Sequence, residues 1–143
     1  MLSVLVYPTV DQLDSMMQIA VEHLQILAGQ RNSQVSGDLF GIFHGPVTPE
    51  NSGPLEICLP VDALTGPADD IRSYRLAGGT AATVTVFGAD TAFPAILSAY
   101  DQTYDWIERA GYRQAGPPRE VWHVLPWASE PAVMTIAWPY LSA

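Results

Sequence analysis

The sequence predicts an α+β fold built from two copies of a β-α-β-β unit, and three observations carry that reading. Each half runs strand, long helix stopped by glycine, strand with an aromatic-His pair, loop, and a strand ending in a Leu-Pro or Trp-Pro step. The aromatic-His pairs Phe43-His44 and Trp122-His123 are separated by the same interval as Leu59-Pro60 and Trp138-Pro139 (123 − 44 and 139 − 60). Tyr7 and Phe87, at the ends of the first strands, are separated by one position more (87 − 7). Near-constant offsets between distant landmarks signal an internal duplication. A unit this small cannot bury both its helix and its sheet alone. The copies are therefore expected to form a pseudo-symmetric antiparallel sheet, with two long helices on one face and a ligand groove on the other. The expected halves of this single domain are residues 1–66 and 67–143.

The elements follow in order. Leu2 to Tyr7 is a short β-rich run closed by Pro8. Thr9 with Gln12 three residues on has the pattern of a capping box. Leu13, Met16, Met17, Ala20, Leu24 and Leu27 then recur at helical spacing, and Gly29 supplies the stop. Gly37 to Gly45 reads as a strand bounded by glycines, and the Pro-, Asn- and Ser-rich stretch Val47 to Gly53 as a loop. Leu55 to Val61 is the next strand. Asp62 to Asp70 has turn composition and is taken as the linker, with a strand expected over Ile71 to Leu76.

In the second half, Thr80 to Phe87 (TAATVTVF) is a β-branched strand. A second helix is expected with Asp90 or Thr91 as its N-cap and Pro94 in its first turn. Its apolar stripe is Phe93, Ile96, Leu97, Tyr100, Tyr104 and Ile107, and Gly111 ends it. Glu120 to Leu125 and Val133 to Tyr140 are the last strands.

Composition excludes several functions. The chain has 143 residues, 48% of them hydrophobic and 15% charged, which describes a folded domain. Six basic against fifteen acidic residues give a net charge of −9, which disfavours nucleic acid or an anionic membrane as partner. Cys58 is the single cysteine, so no disulfide framework or thiolate metal cluster can form. The first residues lack a basic n-region, and no apolar run approaches the roughly 20 residues of a membrane span. The chain reads as cytoplasmic and soluble. No metal site is expected, because no His-x-x-x-His pattern is present. No cofactor is expected either, and the chain has no phosphate-loop motif; a serine-nucleophile elbow is also missing.

Pro117-Pro118-Arg119-Glu120-Val121-Trp122-His123 holds the main candidate site. Alternation along a strand puts Glu120 and Trp122 on one face and Arg119, Val121 and His123 on the other. An acid beside a large ring suits a cationic or hydrogen-bond-donating organic ligand. Parity places Leu55, Ile57 and Leu59 toward the first helix and Glu56 and Cys58 away from it. The matching strand is expected to turn Met134, Ile136 and Trp138 toward the helix and Thr135 and Ala137 toward the groove. On this expectation Glu56 and Glu120 both line one aromatic-walled cleft, with Phe43, Trp122 and Trp106 as its walls and rim. His44 and His123 then point toward the helix face. An acid within an apolar strand such as LEICLPV is informative, because an unpaired buried charge is costly.

These motifs, in this order, resemble the GyrI-like small-molecule-binding domain, also met as the effector-binding half of bacterial multidrug-responsive transcription activators. The residues that carry the resemblance are Leu76-Ala77-Gly78-Gly79, Trp106 to Gly111, Pro117 to Trp122, Leu55 to Val61 and Gly37 to Gly45. The resemblance implies a duplicated β-α-β-β fold with a ligand cleft, and a strand glutamate matching Glu120 that meets lipophilic cations. Glu56 matches the family's other recurrent glutamate. Trp122 stands where the family usually has tyrosine, so a phenolic hydroxyl is missing there while the stacking surface remains.

The function expected is that of a stand-alone binder of a lipophilic, cationic or aromatic small molecule, through Glu120, Trp122, Glu56, Phe43 and Trp106. A homodimer or a protein partner is compatible with the sequence. The alternative, suggested by some members of the resembling family, is a cofactor-independent hydrolase of strained electrophilic natural products. Glu120 or Glu56 would then be the general base, its pKa raised by burial.

Overall fold

The computed structural model describes residues 1–142. The chain divides into two compact units, Met1–Ala77 and Gly78–Ala143. The expected division at residue 67 falls earlier, because the segment after the turn-rich stretch pairs with the first strand: Leu2 lies opposite Ser73 and Ser3 opposite Arg72.

The first unit contains β1 (Leu2–Val6), a 3-10 turn (Val10–Gln12), α1 (Leu13–Gln30), β2 (Phe40–Phe43), β3 (Leu55–Leu59) and β4 (Arg72–Ser73). Its strands lie in the order β4-β1-β3-β2. The expected capping box of Thr9 and Gln12 is present, with the Thr9 amide donating to Gln12 Oε1 at 3.2 Å. The helix runs past Gly29, and Asn32 takes the left-handed conformation after it, at φ 54°. Asparagine tolerates that region better than other residues with a side chain, which is why it can end a helix there. The buried stripe Met17, Ala20, Val21, Leu24 and Leu27 has the helical period read from the sequence, and α1 packs on β1 and β3. Leu55, Ile57 and Leu59 lie opposite Val6, Val4 and Leu2, which gives β1 and β3 a shared apolar face.

The second unit contains β5 (Thr80–Phe87), a 3-10 turn (Gly88–Thr91), α2 (Leu97–Arg109), β6 (Arg113–Gln114), β7 (Arg119–Val124) and β8 (Val133–Leu141). Here the order is β7-β8-β5, with β6 also pairing with β8. The helix starts later than expected, and neither Asp90 nor Thr91 caps it. A residue before proline is disfavoured in the α region, so Phe93 and Pro94 interrupt the path from the 3-10 turn. Gly111, at φ 74°, ends the helix as expected.

The pairing itself is duplicated. Leu2 faces Leu59 in the first unit, and their counterparts Ala82 and Trp138 face each other in the second (82 − 2 and 138 − 59). Phe43 faces Leu55, and Trp122 faces Met134, with one offset for both members (122 − 43 and 134 − 55). The fold is α+β, with eight strands among the described residues, and every pairing within each unit is antiparallel. Among the described residues no helix is long and apolar enough to cross a membrane.

Candidate functional site

Each unit buries one glutamate and meets it with a tyrosine hydroxyl. In the second unit Glu120 is 7% exposed and Trp122 2%. Glu120 lies opposite Ile136 and Trp122 opposite Met134. Residues paired across antiparallel strands share a face. Glu120 and Trp122 therefore lie on the face of Met134 and Ile136, not on the opposite one, and the expectation that they line a groove away from the helix is corrected. Strand alternation fixes which residues go together, but only the register fixes which neighbours they join.

The position of Glu120 brings it to α2. Tyr100 Oη donates to Glu120 Oε2 at 2.5 Å, and the Trp122 indole Nε1 donates to Oε1 at 3.1 Å. Trp138 lies under the same helix, edge-on to Tyr100 at 6.3 Å and to Tyr104 at 5.7 Å between ring centres. Tyr100 packs in the core as its place in the apolar stripe predicts, and its hydroxyl also meets Glu120. Burial pushes the Glu120 carboxyl above its ordinary value, against the lowering effect of the Tyr100 and Trp122 donors. The magnitudes explain the outcome. A hydrogen bond to a charged group is worth about 1.5–3 kcal/mol, while removing a carboxylate from water costs several. Two neutral donors hold the carboxylate without matching the loss of solvent. Burial, then the Glu120 charge, also raises the Tyr100 phenol well above its usual range, so it stays a donor.

The first unit solves the same problem differently. Glu56 is 2% exposed and lies opposite Leu5 and Ile42, on the other face from Leu55 and Ile57, as parity predicted. Tyr74 Oη donates to Oε2 at 2.5 Å, and His44 Nε2 meets Oε1 at 2.9 Å. Arg72 lies 4.7 Å over the Tyr74 ring. Burial pushes the Glu56 carboxyl up, but Tyr74, His44, the nearby Ser3 hydroxyl and the His44 charge outweigh it and hold it below its ordinary value. The buried Ser3 Oγ has no hydrogen bond of normal geometry, so Tyr74 and His44 are the bonded partners of the carboxylate. The partners of Glu56 thus outweigh its burial, while those of Glu120 do not.

Other expectations are revised by the same registers. His44 turns to the Glu56 side, not to the apolar face. Phe43 lies opposite Leu55, on the face away from Glu56. His123 is exposed and meets Thr135 Oγ1 at 2.8 Å, so the two matching histidines do different things. Trp106 is 48% exposed and packs on Tyr112 and Tyr140, at 5.9 and 5.4 Å between ring centres. Among the described residues no three His, Cys, Asp or Glu side chains gather at one point as metal ligands. Tyr74 was missed because it was read as one residue of a strand over Ile71 to Leu76, whereas the strand is only Arg72–Ser73 and Tyr74 follows it. The only signal available was a tyrosine at the alternate position beyond Arg72.

The fold is similar to that of EcmrR in two solved structures. The chain is similar to the C-terminal domain of EcmrR seen in a crystal structure, with a TM-score of 0.81 and 19% identity, covering 99% of this chain and 90% of that one. It is similar to the same extent, TM-score 0.81 and 19% identity, to EcmrR in a cryo-EM structure of an EcmrR–DNA complex. There the match covers 99% of this chain and 53% of the other, so this chain spans about half the length of that EcmrR chain. Comparison with curated protein sequences found no match. The GyrI-like small molecule binding domain matches residues 7–141, nearly the full length, and the chain belongs to that family.

Proposed function

We propose that this protein binds a lipophilic organic cation carrying an aromatic ring, with Glu120 as the anchoring charge and Tyr100, Trp122 and Trp138 as the surrounding rings. One observation carries the reading. Glu120 is buried with two neutral donors, and among the described residues no basic side chain pairs with it. A ligand cation would supply the missing opposite charge, and the rings would add stacking and cation–π attraction of about 0.5–2 kcal/mol each. Neither contact demands one shape, so the selectivity would be for charge plus ring. Glu56 already has its partners in Tyr74 and His44 and is read as the structural counterpart. The protein would act in the cytoplasm as the effector-binding portion of a regulatory system, the role suggested by its likeness to a domain of a DNA-bound protein.

The test is a thermal-shift comparison of two ligands with one ring system, the biphenylmethyl-trimethylammonium cation and neutral biphenylmethanol. The cation should stabilise the protein progressively with concentration by mass action, and the alcohol much less. Equal shifts from the two would remove the carboxylate from the account. Consumption of a strained electrophile without any cation shift would favour hydrolysis instead.

A further inference from the structure

The second unit carries a feature unconnected with either glutamate. A groove of about 460 Å³ is lined by Ala81, Ala82, Thr83, Val84, Gln102, Thr103, Trp106 and Tyr140. Four consecutive residues of β5 line it. Side chains on a strand alternate between faces, so a lining of Ala81 through Val84 takes in the strand's backbone as well as the face it shares with Tyr140, beside α2. β5 is the end strand of its sheet, and it pairs with β8 over eight residues without a bulge. The outer edge therefore presents a row of backbone amides and carbonyls, with α2 standing beside it as a wall.

Natural proteins usually blunt such an edge with lysine, proline, a bulge or extreme shortness. TAATVTVF has none of these. The wall supplies what a docked strand would meet: an exposed indole at Trp106, an amide at Gln102, and the phenol of Tyr140 on β8. We infer that the edge of β5, together with the α2 wall, binds an extended peptide of a partner protein by strand addition, and that the peptide carries lysine or arginine.

Charge selects the occupant. The groove lining is uncharged, but Asp101 and Asp105 precede the wall residues Gln102 and Trp106 by one position each, about 100° around the helix. With Glu108 they form an exposed acidic stripe at helical spacing, countered on α2 only by Arg109. A second copy of this chain, with net charge −9, would be repelled, whereas a basic segment would be drawn in. Main-chain bonds would give affinity and alternate side chains would read the wall.

The probe is a fluorescent eight-residue peptide, two alternations of valine and threonine between lysine pairs, titrated against the intact protein by anisotropy. Two further versions are N-methylated at alternate residues, one at odd and one at even positions. A strand uses alternate amides toward its neighbour, so one version should lose affinity at least tenfold and the other should keep it. A glutamate-flanked version should bind more weakly than the lysine-flanked one. Trp106→Ala, shown to be folded by its melting curve, should weaken binding by about fivefold or more, the size of a modest hot spot. Amide hydrogen exchange at Ala81 to Val84 should slow when the lysine peptide is present. Failure of the lysine peptide to bind, or equal binding of both N-methylated forms, would overturn the proposal. So would concentration-dependent dimerisation that protects the same amides without peptide, which would make a second copy the occupant.

Discussion

Glu120→Gln should lower affinity for the biphenylmethyl-trimethylammonium cation by roughly 30-fold or more while changing that for biphenylmethanol by less than about threefold. Removing one partner of a buried, hydrogen-bonded charge pair costs about 2–5 kcal/mol, and every 1.4 kcal/mol is about tenfold. Glutamine keeps the volume and can still accept the Tyr100 hydroxyl, so the fold and ring contacts should survive. It cannot accept equally well at both oxygen positions, and either Tyr100 or Trp122 loses a good acceptor. The pH dependence should change as well. The Glu120 carboxyl lies above its ordinary value, so cation affinity in the parent protein should rise as pH increases through that raised value and stay flat in the variant. Stability should follow the opposite course. A raised carboxyl favours the folded state fully below the unfolded value near 4.5, and that contribution fades as pH rises through the folded value. Calorimetric titration and urea unfolding of the two proteins across pH would read both effects. Equal loss of affinity for the cation and the alcohol would show that Glu120 only shapes the pocket.

The largest effect on stability is expected at the other glutamate. Glu56→Ala should destabilise the protein by roughly 2–3 kcal/mol in urea unfolding at neutral pH, because it strands two hydrogen-bonding partners. Those partners are Tyr74 Oη and His44 Nε2, and the truncation also empties a site beside Cys58 and Ile42. The value sits below that of a fully enclosed ion pair because His44 is partly exposed and can turn to water. Tyr74→Phe should cost less, and the double variant should cost less than the sum of the two, since they share one hydrogen bond. The pH dependence is the mirror of that at Glu120. The Glu56 carboxyl is held below 4.5, so its contribution is present above that pH and is lost as pH falls through the lowered folded value. A cost below about 0.5 kcal/mol, or strict additivity with Tyr74→Phe, would mean that Glu56 is not the centre of this network.

Much of this was legible in the sequence, and the failures share a cause. The duplicated unit was readable because the near-constant offset between landmarks reflects pairing, and the registers repeat with that same offset. The two glutamates stood out because a charge within an apolar strand must find partners. What could not be read was the partner. Tyr74 and Tyr100 lie 18 and 20 residues from the glutamates they meet, on other elements, and nothing local marks them. The face of Glu120 was misread for the same reason: alternation within β7 is local, but its placement opposite Ile136 depends on a register between strands. The late start of α2 is a local effect, the exclusion of the residue before proline from helix. The Trp106 wall became visible only once β5 was known to be an end strand.

The most direct measurement is the titration of the Glu120 side-chain carbon by NMR in carbon-13-labelled protein, from about pH 3 to about pH 9, with and without saturating biphenylmethyl-trimethylammonium. In the free protein the carboxyl should titrate above 4.5. If the cation takes the carboxylate, linkage requires the midpoint to fall on binding, by about one pH unit for each tenfold preference for the ionised form. Biphenylmethanol should leave it in place. A midpoint unmoved by the saturating cation would contradict the assignment of Glu120 as the anchor.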